Sequence, residues 1–520
     1  MPRTALQWLS LVGAIWLQSI NGTNSNFPAY SSQLKQLLSL SQLQLNNLAF
    51  ASDAGKLFGW FSGIAAVYLP LWIVLLIGSS VGMIGYGVQY LFLTHKISSL
   101  SYGHIFFLTV LAGNSICWIN TVCYIVIVRN FPLQRQAAVG LTTGYIGLSP
   151  VVYTAIVDAF YSQSSKTAEG YLLLNSILPL IVSVITAPFM SRIDVGKPKI
   201  QEAGFIVVSM ITVATGIYAI ISSLGYLPSK SSKVINVIGI GLCLSSPLVI
   251  PLAEYMRGIL EQKCTIIRDR RVCDLTGEDD EEADRVVAEN EGKDVEIITD
   301  IPEVAVMEDI GAKLMLKRLN FWLYFFVYFL GATLGLVYLN NLGQIAESRS
   351  HSNVCSLVSF SSAFGFFGRL FPVFQHYFYS RSKKRIPGPA SIVCMMVPMA
   401  GGFFLLVNGA DLSLYFSTAI IGACTGAITS ISVSVTTELF GTNNFGVNHN
   451  IVVANIPMGS FVFGNLAALL YRKARKVHER CIGLDCYKNT FIIWGTLCSV
   501  GIILALILHL RTRKFYFHRL

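Results

Sequence analysis

Charge is what this sequence has least of. Of its 520 residues only 13% are Asp, Glu, Lys or Arg, against roughly 25% in ordinary soluble proteins. A soluble chain of this length divides into several cores, each needing a polar surface. Too few polar residues are present to cover them, so a water-soluble globular protein is excluded. Catalytic signatures are missing as well. There is no strand–glycine loop–helix unit for a nucleotide, no metal-binding histidine pair, no nucleophile elbow and no convincing carboxylate pair. The sequence therefore predicts no enzyme and no cofactor. The eleven cysteines are scattered, mostly in apolar segments where they act as small hydrophobes, and "CTIIRDRRVC" lacks metal-ligand spacing. Acid is scarce outside one stretch: seventeen of the 28 acidic residues lie between Arg257 and Arg318.

The net charge of +10 is not the footprint of a nucleic-acid binder. The basic residues form no stripe with interleaved aromatics; they sit at the ends of apolar runs, as the positive-inside rule requires. A bilayer core about 30 Å thick takes roughly 20 apolar residues as a helix, and the backbone there must satisfy its own hydrogen bonds. Fourteen segments qualify as expected spans, with twelve as the alternative count. Eight come first, at 6–30, 46–69, 71–94, 102–128, 137–161, 168–190, 204–226 and 233–254. Six follow, at 320–341, 353–378, 389–408, 412–437, 447–471 and 489–510. The opening "MPRTALQWLSLVGAIWLQSING" is read as the first span rather than a cleaved signal, because no small-x-small site follows it. The sequon at Asn21 would then lie too deep to be glycosylated.

With the N-terminus in the cytosol, alternation places Arg129 and Arg135, then Arg192, Lys197 and Lys199, then "RSKKR" at 381–385 and the tail "RTRKFYFHRL" on the cytosolic side. One basic loop, "YRKARKVHERCIGLDCYKN", falls outside and breaks the rule. Cys481 and Cys486 would face an oxidising compartment there, either as a disulfide or as two free thiols. The acidic break divides the chain into a membrane half at 1–256, a cytosolic linker at 257–318 and a second membrane half at 319–520. The linker is too charged to bury a core of its own. It is read as a solvated connection, with a regulatory or partner-binding loop as the alternative.

"GKLFGWF" (55–61) and "GRLFPVF" (368–374) share G-[K/R]-L-F-x-x-F, each in the second span of its half, with Lys56 and Arg369 313 positions apart. Such a match suggests a parallel duplication of two six-helix bundles. The two surplus helices, 204–226 and 233–254, would lie between the bundles.

Several further stretches carry a resemblance: "YLNNLGQIAES" (338–348), "SLVSFSSAFGFFGRL" (356–370), "TELFGTNNFGVNHNI" (437–451), "CIGLDCY" and "NGTNSNFPAYSSQLK". Together they resemble the plant nodulin-like, nuclear fusion defective-type branch of the major facilitator superfamily. The resemblance implies an all-α polytopic membrane protein with the major facilitator fold. It also implies that the first and fourth helices of each half line a central cavity. The superfamily's charged loop signature is eroded here: "IAAVYLPLWIV" follows Gly63 without a charge, and the loop after Arg369 has basic residues but no aspartate.

Ionisable residues at membrane depth are costly, about 2.5–3.5 kcal/mol on insertion scales, and usually have a partner or a task. Asp53 and Lys56, three apart on one helix, either neutralise each other or leave Asp53 to carry a proton. Arg369 has no acid within four residues. It pairs elsewhere, snorkels to a boundary, or offers its planar donors to an anionic substrate. Gln18, Asn21 and Ser25, with Asn24 beside them, are expected to face the bundle interior or a watery cavity. Asn114, Trp118 and Thr121, with Asn120 adjacent, form a polar stripe on the fourth span; Tyr324 and Tyr328 mark the first span of the second half. Each either lines the cavity or holds helices together.

The expected function is a secondary active transporter working by alternating access. It would be proton-coupled, since no ATP motif exists, and would move a small polar or anionic solute. The alternative is a sensor or scaffold acting through the acidic loop. The expected partners are that solute and the lipid bilayer, with no nucleic acid, and the chain is expected to act as a monomer. Plasma membrane and vacuolar membrane both remain open.

Overall fold

In a computed structural model the chain is helical throughout the described residues, which are 2–27, 30, 34–36, 38–161, 166–193, 201–223, 231–275, 308–349, 354–380, 386–474 and 481–517. Lys197 and Lys199, the "RSKKR" cluster and most of the acidic linker, 276–307, lie outside them.

Among the described residues, fourteen helical rods correspond to the fourteen expected spans. The first half contains α1 (Arg3–Ile20), α2 (Gln42–Ala54) continuing into α3 (Trp60–Tyr68), α4 (Leu71–Leu93), α5 (Tyr102–Asn130), α6 (Arg135–Phe160) and α7 (Thr167–Thr186). The surplus pair is α8 (Glu202–Ser223) and α9 (Ser231–Ser245), which runs on into α10 (Val249–Leu275). After the short α11 (Ala312–Met315) come α12 (Leu319–Tyr328) joined to α13 (Leu334–Ser348), α14 (Val354–Arg369) with α15 (Phe371–Ser380), and α16 (Gly388–Leu405). Then follow α17 (Asp411–Phe440), α18 (Phe445–Val453) with α19 (Asn455–Ala474), and α20 (Asp485–Phe517). Among the described residues, eleven rods are long and apolar enough to cross a membrane by length and composition. The other three are α1, as long as α16 but made less apolar by Arg3, Gln7 and Gln18, and the rods α2–α3 and α14–α15. A 3-10 turn at Gly55–Phe58 interrupts the second, and a break at Leu370 the third.

The rods assemble as two bundles with a shared internal register. The α2–α3 rod crosses α5 so tightly that a Cβ on Gly55 would lie 2.2 Å from the Val110 carbonyl oxygen, and one on Gly113 1.9 Å from that of Ser52. In the second half α14 crosses α17 at Gly368 against the Ala423 oxygen, 1.9 Å, and at Gly426 against the Gly365 oxygen, 2.2 Å. Every residue of the first set precedes its counterpart by 313 positions. Only glycine permits such backbone contact, so the duplication is written into the packing as well as the motif.

The bundles meet along two seams. In one, α3 packs on α18 and α2 on α19; in the other, α6 packs on α14, α15 and α17. The second rod of each half thus meets the fifth rod of the other, as a pseudo-two-fold arrangement requires. The surplus helix α8 flanks the α6–α14 seam, and α9 lies against α6.

The end bearing Arg129 and Arg135 is called the basic end below. There α6 and α17 are stitched by Arg135 Nη1 donating to Thr437 Oγ1 (2.7 Å), Gln136 Nε2 donating to Glu438 Oε1 (3.1 Å), and a hydrogen bond between Thr143 and Ser430 hydroxyls (2.9 Å). The chain leaving the acidic linker is anchored beneath the same α17–α18 turn. Ile310 N–H donates to Phe440 O, Asn448 Nδ2 to Ile310 O, and Asn443 Nδ2 to Asp309 Oδ2. At the opposite end Cys481 and Cys486 form a disulfide, and Gly483 N–H donates to Ser348 O.

Candidate functional site

The first rod is not the continuous span expected over 6–30. Helix α1 stops at Ile20, and a 3-10 turn, Thr23–Asn26, follows. The reason lies in tertiary partners. Gly22 N–H donates to Ser149 Oγ (2.9 Å), Tyr153 Oη donates to Ile20 O (2.9 Å), and Asn21 Nδ2 donates to Ile116 O (3.1 Å) and Asn120 Oδ1 (2.9 Å). The first two bonds satisfy backbone groups at the break, and the Asn21 amide ties the break to α5. A Cβ at Gly22 would lie 2.7 Å from Ser149 Cβ. Ile116 is midway along α5, so the break sits near the centre of the bundle.

Beside the break, the Gln18 side chain is fully buried with neither amide atom hydrogen-bonded. A buried unpaired amide costs about 1–3 kcal/mol, and such an atom needs an explanation. Asn24 is half-buried and Ser25 exposed, so Gln18, Asn21 and Ser25 do not share one helical stripe. Past the break, Asn26 Nδ2 donates to Asn175 Oδ1 (2.8 Å), leaving the buried Asn175 Nδ2 unpartnered.

Other expected lining residues are occupied in holding helices. Asn114 donates to Gly55 O (3.0 Å) and accepts from Trp118 Nε1 (2.9 Å). Thr121 shares a hydrogen bond with Ser62 (2.7 Å) and accepts from Asn450 Nδ2 (2.7 Å), across the seam between halves. Tyr324, fully buried, donates to Ser432 O (2.8 Å), and Tyr328 is buried near it. Trp118 and Asn120 are half-buried.

The paired positions Lys56 and Arg369 differ in company. Lys56 Nζ donates to Asp53 Oδ1 at 2.6 Å. Asp53 Oδ2 also accepts from Ser460 Oγ (3.0 Å) and Asn340 Nδ2 (3.5 Å), both in the second half, so this carboxylate ties the seam. The counterpart of Asp53, 313 positions on, is the buried Phe366. Among the described residues Arg369 makes no ion pair. Its Nη1 lies beside Gly147 and Gly365. Gly147 is about 18 Å along α6 from its basic-end start, at 1.5 Å per residue, so the guanidinium points towards the middle of the bundle and does not run to the nearer boundary. The Tyr124 and Tyr328 phenols are its electrostatic neighbours.

The sequence reading missed His449 and Asn450. His449 is buried between Phe445 (ring centroids 5.1 Å) and Tyr124 (5.6 Å), with Nδ1 3.1 Å from Thr436 Oγ1. The signal was available in "NHN" at 448–450, a polar run inside an apolar span.

A nodulin-like family profile matches residues 7–252, and the profile of the NFD4 C-terminal domain matches 303–518. The chain is 39% identical over 539 aligned residues to Protein NUCLEAR FUSION DEFECTIVE 4 of Arabidopsis thaliana, covering 99% of this chain and 90% of that one. It is 26% identical over 195 residues to Probable transporter MCH1 of Yarrowia lipolytica, covering 34% of this chain and 39% of that one. Among solved structures, the transporter FucP in its outward conformation superposes with TM-score 0.52 at 9% identity, covering 96% of this chain and 98% of FucP. The proton:xylose symporter XylE, bound to 6-bromo-6-deoxy-D-glucose, gives 0.54 at 11% identity, covering 96% and 94%. At such identities these two report the fold alone.

Proposed function

The chain belongs to the nodulin-like family that includes NUCLEAR FUSION DEFECTIVE 4, on the major facilitator fold, and from that premise we propose that it is a secondary active transporter for a small anionic solute. The observation that carries the anion is Arg369, a guanidinium aimed at the bundle centre without a carboxylate among the described residues. An uncompensated cation at membrane depth is expensive, and its planar paired donors suit a carboxylate or phosphate. Gln18, Asn21 and Asn120 at the α1 break supply amide groups for the rest of the solute. Discontinuous helices near the midplane mark substrate sites in other transporter folds.

The halves 1–256 and 319–520 are the rocking units, joined by 257–318. Asp53 is the proton carrier in this reading. Loss of its charge weakens its bonds to Ser460 and Asn340 and frees the seam it ties, which couples protonation to rocking. A single chain suffices, because both seams are internal.

The test is uptake of carboxylates and phosphate into vesicles reconstituted with the full chain, with and without an imposed pH gradient. An anion taken up in a gradient-dependent way, with at least a tenfold loss in Arg369→Ala, is expected. Uptake indifferent to Arg369→Ala overturns the anion site, and uptake indifferent to the gradient overturns proton coupling. The second reading, a sensor or scaffold, draws on the anchorage of Asp309 and Ile310 beside the basic-end stitches. Deleting 275–300 spares flux in a transporter and abolishes the biological effect of a scaffold.

A further inference from the structure

Between α7 and α9 the helices part and leave a cleft of about 280 Å³. Its floor is the back of α1, at Trp16 and Ile20, together with Val152 and Ala155 of α6; Ile185 and Gly241 stand at its sides. The polar groups nearby are already engaged. Trp16 Nε1 donates to Leu244 O (2.7 Å), Ser19 Oγ to Trp16 O (2.8 Å) and Ser245 Oγ to Gly241 O (2.8 Å). Water entering would find few partners, and apolar cavities of this kind stay dry. The surface beside it is aliphatic and exposed, with Ile185 at its side 53% accessible and Ile238 and Leu242, also on α9, 56% and 67%. In a chain of membrane-crossing helices such surface faces hydrocarbon.

We propose that this cleft holds one acyl chain of a bilayer lipid, wedged between the surplus helix α9 and the first bundle. An acyl chain fits because the walls offer dispersion contacts and their hydroxyl and indole donors are already engaged. A headgroup needs donors for its anionic oxygens, and none is free among these. The chain rests on Trp16 and Ile20, on the side of α1 away from Asn21, so it braces the helix next to its break. Surplus helices thereby give the bilayer a hold on the candidate solute site.

Gly241 makes the cleft testable. A Cβ there meets no atom within 4 Å, and replacing a mid-helix glycine favours the helix. Gly241 shares the cleft-lining face of α9 with Val237, Ile240 and Leu244, so Gly241→Phe has room at its Cβ and directs its ring into the cleft. The full chain is reconstituted in phosphatidylcholine with or without acyl chains brominated near their middle, which quench tryptophan on contact. The Trp16 contribution is the difference between the natural chain and Trp16→Phe. We expect that contribution to fall at least twofold in brominated vesicles, to recover in Gly241→Phe, and to be insensitive to acrylamide in water. A Trp16 signal untouched by bromolipid, or quenched by acrylamide, overturns the proposal. So does bromolipid quenching that persists in a Gly241→Phe chain whose melting temperature matches the natural one. Neither readout depends on a transport assay.

Discussion

Lys56 and Arg369 occupy equivalent places, yet among the described residues only Lys56 of the two has a carboxylate at hand. Matched substitutions should therefore have opposite consequences for stability. Lys56→Gln strands the Asp53 carboxylate in a mostly buried site, and breaking one partner of such a pair costs about 3–5 kcal/mol. Arg369→Gln removes a charge that has no partner to strand, so its melting temperature should equal or exceed that of the natural chain while anion uptake falls. Thermal unfolding of the two variants in one detergent checks this, and similar losses in both would show that Arg369 is compensated after all. The difference was half legible in the sequence. The spacing of Asp53 and Lys56 announces a pair, because i and i+3 share a helix face. The solitude of Arg369 was not legible, since an acid on any neighbouring rod would have ended it.

Among elements, α1 shows where sequence reading runs out. Apolar runs identify the spans because each must cross the same thickness of hydrocarbon. They say little about continuity within a span. "SINGTNSN" reads equally well as polar residues on a helix or as its interruption. What decides it lies more than ninety positions away, in Ile116, Ser149 and Tyr153. Tyr324 and Asn114 read equally well as cavity lining or as ties between helices, and the bonds they make, to Ser432 O and Gly55 O, go to partners the pattern does not reveal. The break makes a prediction of its own. Gly22→Ala drives a methyl to 2.7 Å from Ser149 Cβ and 3.2 Å from Ile146 O, an overpacking that costs about 1–3 kcal/mol. Ser149→Gly alone loses the bond from Gly22 N–H, so the comparison is a double-mutant cycle: Gly22→Ala should cost less in a Ser149→Gly chain than in the natural one in thermal melts. An equal cost in both backgrounds would mean that the clash is not with Ser149.

At the scale of the whole molecule, the basic end is held shut by Arg135–Thr437, Gln136–Glu438 and Thr143–Ser430. In the transport cycle proposed above, rocking of the halves requires all three to part. Cysteines at positions 143 and 430, whose native hydroxyl oxygens lie 2.9 Å apart, should cross-link under oxidant. The link should stop uptake, and reduction should restore it. Full uptake with the link intact would remove this seam from the transport cycle. The tie through Asp53 holds the bundles together through the other seam, so the two contacts answer to different groups.

The matched crossings at Gly55–Val110 and Gly368–Ala423 leave no room for any side chain between the rods. Backbones in such contact cannot slide past one another without collision, since packed interiors yield in steps rather than continuously. Each bundle thus carries a rigid keel at the same depth. Flexure is left to places without such backbone contact, the interrupted first rod among them.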